Sequence, residues 1–235
     1  MLLSTRTVSR LLAITIAMGL FGCGKDEVRY QPRPAPKVQA SLPAVPNVPQ
    51  TPIKRGDVYT VWGAGYSLRS RVLHKTLGDK PITVEGYIVD TNFAQAPACA
   101  VHKGGKADPE DCKAPVPTFW LADTKDAPRS EAIQVMGFAS NYAQIFDAIK
   151  EFDEKGEKAE VSDTFWGKPI PNPLPAKGAK VRVNGTYSTT FTGASTGAQA
   201  DPIMGILTYQ KWEVQEEAPE LATLPGVKRK PKKEK

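Results

Sequence analysis

The chain has 235 residues, 40% of them hydrophobic, and carries 31 basic against 25 acidic side chains for a formal charge of +6. The excess is not spread evenly: past residue 22 there are 29 bases and 25 acids, and the last eight residues, KRKPKKEK, hold six bases and one acid. The remaining body has 23 bases and 24 acids, which argues against nucleic-acid binding, because that function normally shows as a basic patch on the domain itself.

In chain order, the first segment is MLLSTRTVSRLLAITIAMGLFGCGKD. Arg6 and Arg10 precede an uncharged, mostly apolar run from Leu11 to Gly22. About 12 residues is the length of a signal-peptide core and well short of the roughly 20 that span a bilayer. Leu20-Phe21-Gly22-Cys23 resembles the lipobox of bacterial lipoproteins. The resemblance covers residues 1–23 and implies cleavage after a signal peptide of residues 1–22, diacylglycerol on the Cys23 thiol and an acylated amino group. Two or more acyl chains hold a protein stably at a membrane. Gly24, where an Asp would retain the protein at the inner membrane, implies by the enteric sorting pattern an outer-membrane protein facing the periplasm.

Residues 23–54 form the lipidated Cys and a tether. Seven prolines fall within QPRPAPKVQASLPAVPNVPQTP, a composition that favours extended polyproline II and a disordered, semi-rigid spacer. The composition turns globular from 55 to 216, roughly 160 residues, enough for one domain with its own core.

Within that domain DVYTVWGAGYSLRSRVLH (57–74) is apolar and aromatic and is taken as a first extended segment. PITVEGYIVDT (81–91), PTFWLADT (117–124) and EAIQVMGF (131–138) alternate with period two and are bounded by turn formers, as strands are. SNYAQIFDAIKEFDEKG changes period. Its apolar residues Tyr142, Ile145, Phe146, Ile149 and Phe152 make the stripe of an amphipathic helix, with Ser140 or Asn141 as N-cap and Gly156 as C-cap. A Pro-rich crossing opened by Phe165 and Trp166 follows, then strands at 179–191 and 205–215. Residues 217–235 read as a disordered basic tail.

Glycines interrupt ITVEGYIVD and VRVNGTYS, as where a strand bends round a barrel corner. Strands, then one helix between strands three and four, then two more strands is the OB-fold plan. Over residues of about 80–215 the chain resembles bacterial periplasmic OB-fold domains. The fold expected is therefore mainly β: a small antiparallel OB-fold-like barrel. The resemblance implies binding and does not choose the ligand.

Cys99 and Cys112 flank CAVHKGGKADPEDC. With Cys23 lipidated and the protein exported, a disulfide closing an enlarged loop between the first two barrel strands is the leading reading. The alternative is a metal-binding or redox site of Cys99, His102 and Cys112, with Asp108, Glu110 or Asp111 as a fourth ligand. That spacing does not match the paired ligands of structural zinc modules, and no cofactor is expected.

His74 and His102 sit in no known catalytic pattern, and G-x-S-x-G, H-E-x-x-H and the P-loop are absent. Ser188 and Ser195 lie in Ser/Thr-rich text, and Glu216-Glu217 closes the domain. The expectation is a non-enzyme. It would be a membrane-anchored binding or scaffold module for an envelope protein or glycan, with Trp120 and Trp166 as candidate contact residues. Nucleic-acid binding is a weaker alternative, by analogy of fold alone.

Overall fold

The structure is a computed structural model that describes residues 51–70, 80–193, 197–199 and 204–229. The chain divides into two units, Met1–Asn47 and Val48–Lys235, and every described residue belongs to the second. The lipobox, His74 and Ser195 lie outside the described residues.

A hairpin of β1 (Lys54–Arg55) and β2 (Val58–Thr60) leads into helix α1 (Val61–Arg69). Then come β3 (Pro81–Thr91), β4 (Phe119–Ala122), β5 (Ile133–Met136), helix α2 (Tyr142–Lys155), β6 (Lys180–Ser188), the β7/β8 hairpin (Phe191–Gly193, Gly197–Gln199) and β9 (Ile206–Glu216). β3 pairs with both β4 and β6, β4 with β5, β5 with β9 and β9 with β6. Five strands thus close into a ring, and β2 extends the sheet along the edge of β3.

The ring is not purely antiparallel, contrary to expectation. β5 and β9 run parallel, with Val135 opposite Leu207, and β2 runs parallel to β3. The first has a simple cause: strands alternating in direction cannot close a ring with an odd number of members, so five strands need one parallel join. Ladder register shifts fall between Ile88 and Asp90 in β3 and, in β6, between Lys180 and Val181 and between Asn184 and Gly185. The last coincides with one of the mid-strand glycines, and the first lies two residues past Gly86.

Period-two alternation sends Ile82, Val84 and Ile88 of β3, Phe119 and Leu121 of β4, Ile133 and Val135 of β5, Val181 and Val183 of β6, and Leu207 and Tyr209 of β9 into one core. α2 adds Tyr142, Ile145, Ala148, Ile149 and Phe152 to that core. Asn141 caps the helix by accepting from the Gln144 N–H at 3.0 Å, and Gly156 closes it at φ +67° with its N–H on the Phe152 carbonyl. Phe146, expected in mid-stripe, sits at its edge: it is half-buried, with the Lys150 ammonium 4.3 Å from its ring centre.

Two further expectations are corrected. The segment 57–74 is extended only through β2; Val61–Arg69 is helical. Thr60 accepts from the Gly63 N–H at 2.9 Å, and the Asp123 carboxylate takes the Val61 and Trp62 N–H groups at 2.9 and 2.7 Å. The helix start is therefore satisfied largely by a residue far along the chain. Residues 217–229, expected to belong to a disordered tail, instead include side chains packed on the body. Leu224 is buried in the main core, and the Arg229 guanidinium reaches Asp153 at 2.7 Å and the Ala222 carbonyl at 2.9 Å.

Candidate functional site

The 92–118 connection between β3 and β4 carries the cysteine pair. Cys99 and Cys112 form a disulfide with α-carbons 5.9 Å apart, so both sulfurs are withdrawn from the ligand set Cys99, His102 and Cys112. His102 is partly exposed, and its Nε2 lies 3.2 Å from Asp108. Among the described residues no three of His, Cys, Asp or Glu are grouped to hold a metal ion.

The connection is docked, not loose. At its root, buried Asn92 donates from Nδ2 to the Val116 carbonyl and accepts the Thr118 N–H, each at 2.8 Å, while the Tyr142 hydroxyl donates to the Asn92 carbonyl at 3.2 Å. Burial pushes the Tyr142 phenol well above its ordinary pKa, so it stays a neutral donor. Further out, a polar row on α2 holds the glycine turn. Asn141 donates to the Lys106 carbonyl at 3.2 Å, Gln144 to the Gly105 carbonyl at 2.6 Å, and Asp147 accepts the Gly104 N–H at 2.9 Å. Gly105 has φ +53°, and a β-carbon there would lie 2.3 Å from Gln144 Nε2. That conformation favours glycine, and any side chain there would push the Gln144 amide off its hydrogen bonds.

Gln144 also accepts the Thr164 N–H at 2.9 Å, joining the same helix to the Pro-rich crossing. Buried Asp163 organises that crossing. Its carboxylate accepts the Ser140 N–H and hydroxyl, each at 2.7 Å, the Phe165 N–H at 2.9 Å and the Trp166 N–H at 2.7 Å. Four donors on one carboxylate fix the turn that presents Phe165, 53% exposed, and Trp166.

Trp166 meets Phe191 of β7 edge-on, with ring centres 5.9 Å apart. Beneath them Met136 of β5, Ile206 of β9 and Val116 complete a small apolar cluster separate from the main core. Met136 and Ile206 have the opposite strand parity to Val135 and Leu207, so this cluster lies on the outer face of the ring. Three connections, 92–118, 159–179 and 189–205, each send an apolar side chain to it. Trp166 therefore lies where the three meet.

Trp120 is in a different position. It faces outward as its parity requires and packs beside Val89, Ala122 and Ala132, but the Arg129 guanidinium lies 4.1 Å from its ring centre and also pairs with Asp90. One face of Trp120 is therefore already covered. Ser188 exchanges hydrogen bonds with the Thr190 backbone, and Glu216 pairs with Lys125 at 3.4 Å. On the outside of β3 and β6, Glu85 accepts from Arg182 at 2.8 Å and lies 3.3 Å from Lys180. Burial pushes its carboxyl pKa up, and the two cations more than offset this, leaving it below the ordinary value.

Trp166 and the adjoining Phe165 stand out in the sequence, whereas Asp163, Gln144 and Phe191 are not among the residues expected from it. An Asp two residues before an aromatic pair, in a segment rich in Pro and Gly, is the turn signal that marks Asp163. Nothing local marks the other two.

No family model matches the chain, and no curated protein matches it. Solved structures similar to it include a chain described as an aspartyl-tRNA synthetase from Leishmania major Friedlin. That likeness has 16% identity over 79% of this chain and 24% of that one, with a TM-score of 0.31, so this chain spans about a quarter of the synthetase. OBody AM3L09 bound to hen egg-white lysozyme is 11% identical over 61% of this chain and 88% of its own, at a TM-score of 0.27. OBody AM1L10 bound to the same lysozyme is 10% identical over 60% and 85%, at 0.25. Likenesses this slight assign no function.

Proposed function

We propose that this chain is a lipid-anchored envelope protein whose domain is an OB-fold-type binding module for an envelope protein or glycan, and not an enzyme. The ring order β3-β4-β5-β9-β6, with α2 between its third and fourth strands in the chain, fits the five-stranded Greek-key plan. Barrels of that plan bind at the outer face of strands two and three and through the loops joining strands one to two and four to five. Here those loops are the stapled 92–118 connection and the 189–205 connection with its β7/β8 hairpin.

One observation carries the reading. Both loops reach the outer face of β5 and meet Trp166 there, and the adjoining Phe165 is left 53% exposed on a turn held by four hydrogen bonds. A rigid aromatic at the mouth of converging loops loses little conformational entropy on binding. Near-neutral charge in the body favours protein or glycan over nucleic acid, and the lipobox resemblance favours the envelope. The test uses protein made in its own cells and envelope separated into membranes and cell-wall sacculi. Phe165→Ser should cut retention on one of these fractions at least fivefold with circular dichroism unchanged, and the fraction affected identifies protein or glycan. Equal retention of parent and variant on both would contradict the assignment.

A further inference from the structure

Among the described residues five large apolar side chains are exposed, and three of them, Ile53 (40%), Trp62 (40%) and Tyr66 (60%), fall within the first segment of the domain. Trp62 and Tyr66, one turn apart on α1, stack with ring centres 5.0 Å apart and planes within 8°. Gly63 abuts the backbone of Ile53, where a β-carbon would come within 2.0 Å of the Ile53 carbonyl oxygen, and a β-carbon on Gly65 would meet Met204 at 2.8 Å. At 100° per residue these contacts flank the Trp62–Tyr66 stripe on its two sides. Ile53, the two rings and half-buried Met204 thus form one apolar strip.

We propose that this strip is a bilayer-contact patch that seats the domain on the headgroup interface of the membrane to which it is anchored, an inference that rests on the lipid-anchor reading above. Two features select a bilayer over other occupants. The tether leads to the strip: residues 24–50 separate Cys23, the lipidated residue on the reading above, from Thr51, two residues before Ile53. Fully extended, such a Pro-rich spacer reaches about 85 Å, and as a flexible coil about 30 Å. It therefore permits contact and holds the patch near the surface at an effective concentration on the order of millimolar, so that a weak interfacial affinity suffices. The charge also suits anionic headgroups. Lys54 and Arg55 adjoin Ile53, the Asp123 carboxylate at the head of α1 is taken up by two backbone N–H groups, and Glu85 beside Arg55 is held by Arg182 and Lys180. Asp57 is the remaining acid in this first segment. Trp and Tyr, each with an apolar body and a polar tip, are the side chains that settle at bilayer interfaces.

The test uses the chain from Cys23 onward with Cys99 and Cys112 bonded, so that Cys23 is the one free thiol among three cysteines. It is coupled to maleimide-phosphatidylethanolamine in vesicles of phosphatidylethanolamine and phosphatidylglycerol, 3:1, with brominated acyl chains. Bromine should quench the tryptophan emission of the parent, Trp62→Phe should remove at least half of that quenching, and Ile53→Ser/Tyr66→Ser should reduce it at least twofold. No quenching in the parent, equal quenching in Trp62→Phe, or protection of Trp62 that instead follows protein self-association would overturn the patch. Because the maleimide lipid supplies the tether, this outcome is independent of natural lipidation. That is read separately from the mass of the Cys23 peptide of cell-made protein, and an unmodified peptide would overturn the anchor alone.

Discussion

The side-chain amide of Gln144 binds two connections at once: its Nε2 donates to the Gly105 carbonyl at 2.6 Å and its Oε1 accepts the Thr164 N–H at 2.9 Å. One buried residue on α2 thus ties the disulfide-closed connection to the crossing that presents Phe165 and Trp166. Gln144→Ala leaves a buried carbonyl and a half-buried N–H without their partner, and should destabilise the domain by about 1–3 kcal/mol. The check is urea denaturation, accompanied by faster amide exchange at Gly104 and Thr164. A stability change without local loosening at both sites would mean that the two connections are not coupled through this residue.

Opening the Cys99–Cys112 bond releases a loop with a sequence separation of 13 residues. In the chain-entropy model that costs on the order of 3 kcal/mol. Cys99→Ser/Cys112→Ser should therefore lower the denaturation midpoint while the far-ultraviolet spectrum of the β-sheet ring persists at low denaturant. The ring strands pair without the bond, and Asn92, Asn141, Gln144 and Asp147, together with Phe93, Ala96 and Ala100 in the main core, still hold the connection. Loss of the folded spectrum in water would make the loop part of the folding core.

Ile149 and Phe146 separate the buried face of α2 from its edge. Ile149→Ala should cost about 2–5 kcal/mol, as deletions in a closed core do. Phe146→Ala should cost less than half of that, because the ring is half-buried and covered on one side by Lys150. Equal losses in parallel denaturation curves would place Phe146 in the core.

Glu85 gives the stability a defined pH dependence. Its folded pKa lies below the ordinary glutamate value, so the unfolded chain binds the proton more readily. The stabilisation is complete above the unfolded value of about 4.3 and is lost as pH falls through the folded value. Glu85→Gln should cost about 1–2 kcal/mol near neutrality, and the gap between parent and variant should narrow as pH falls below the unfolded value and close once it is below the folded one. A gap that persists or widens in acid would contradict the ion cluster.

Most of the ring was legible in the sequence because its strands bury one face. Ile82, Val84, Val181 and Val183 alternate with polar neighbours, and the shift to a helical stripe at Tyr142 is abrupt. Local pattern failed where the deciding partner lies far away. α1 carries two glycines, each costing roughly 1 kcal/mol against alanine in a helix, and its first N–H groups are satisfied by Asp123, more than sixty positions downstream. Leu224 and Arg229 sit in text as polar and Pro-rich as any linker, yet the body offers them a core pocket and Asp153. The surroundings of the two candidate contact residues were half legible. Trp166, marked by its place at the start of the Pro-rich crossing, lies at the meeting of the loops, whereas Trp120, which strand parity turns outward, lies under Arg129, a stacking that no spacing announces.

On the function proposed above, the domain engages an envelope component through the loop face bearing Phe165. The most direct measurement places a photo-crosslinking phenylalanine analogue at position 165 in cell-made protein, and at Glu213, an exposed position on β9, as a control. After irradiation of intact cells, adducts to an envelope protein or glycan should form at 165 and be absent at 213. Adducts of equal yield at both positions, or at 213 alone, would contradict it.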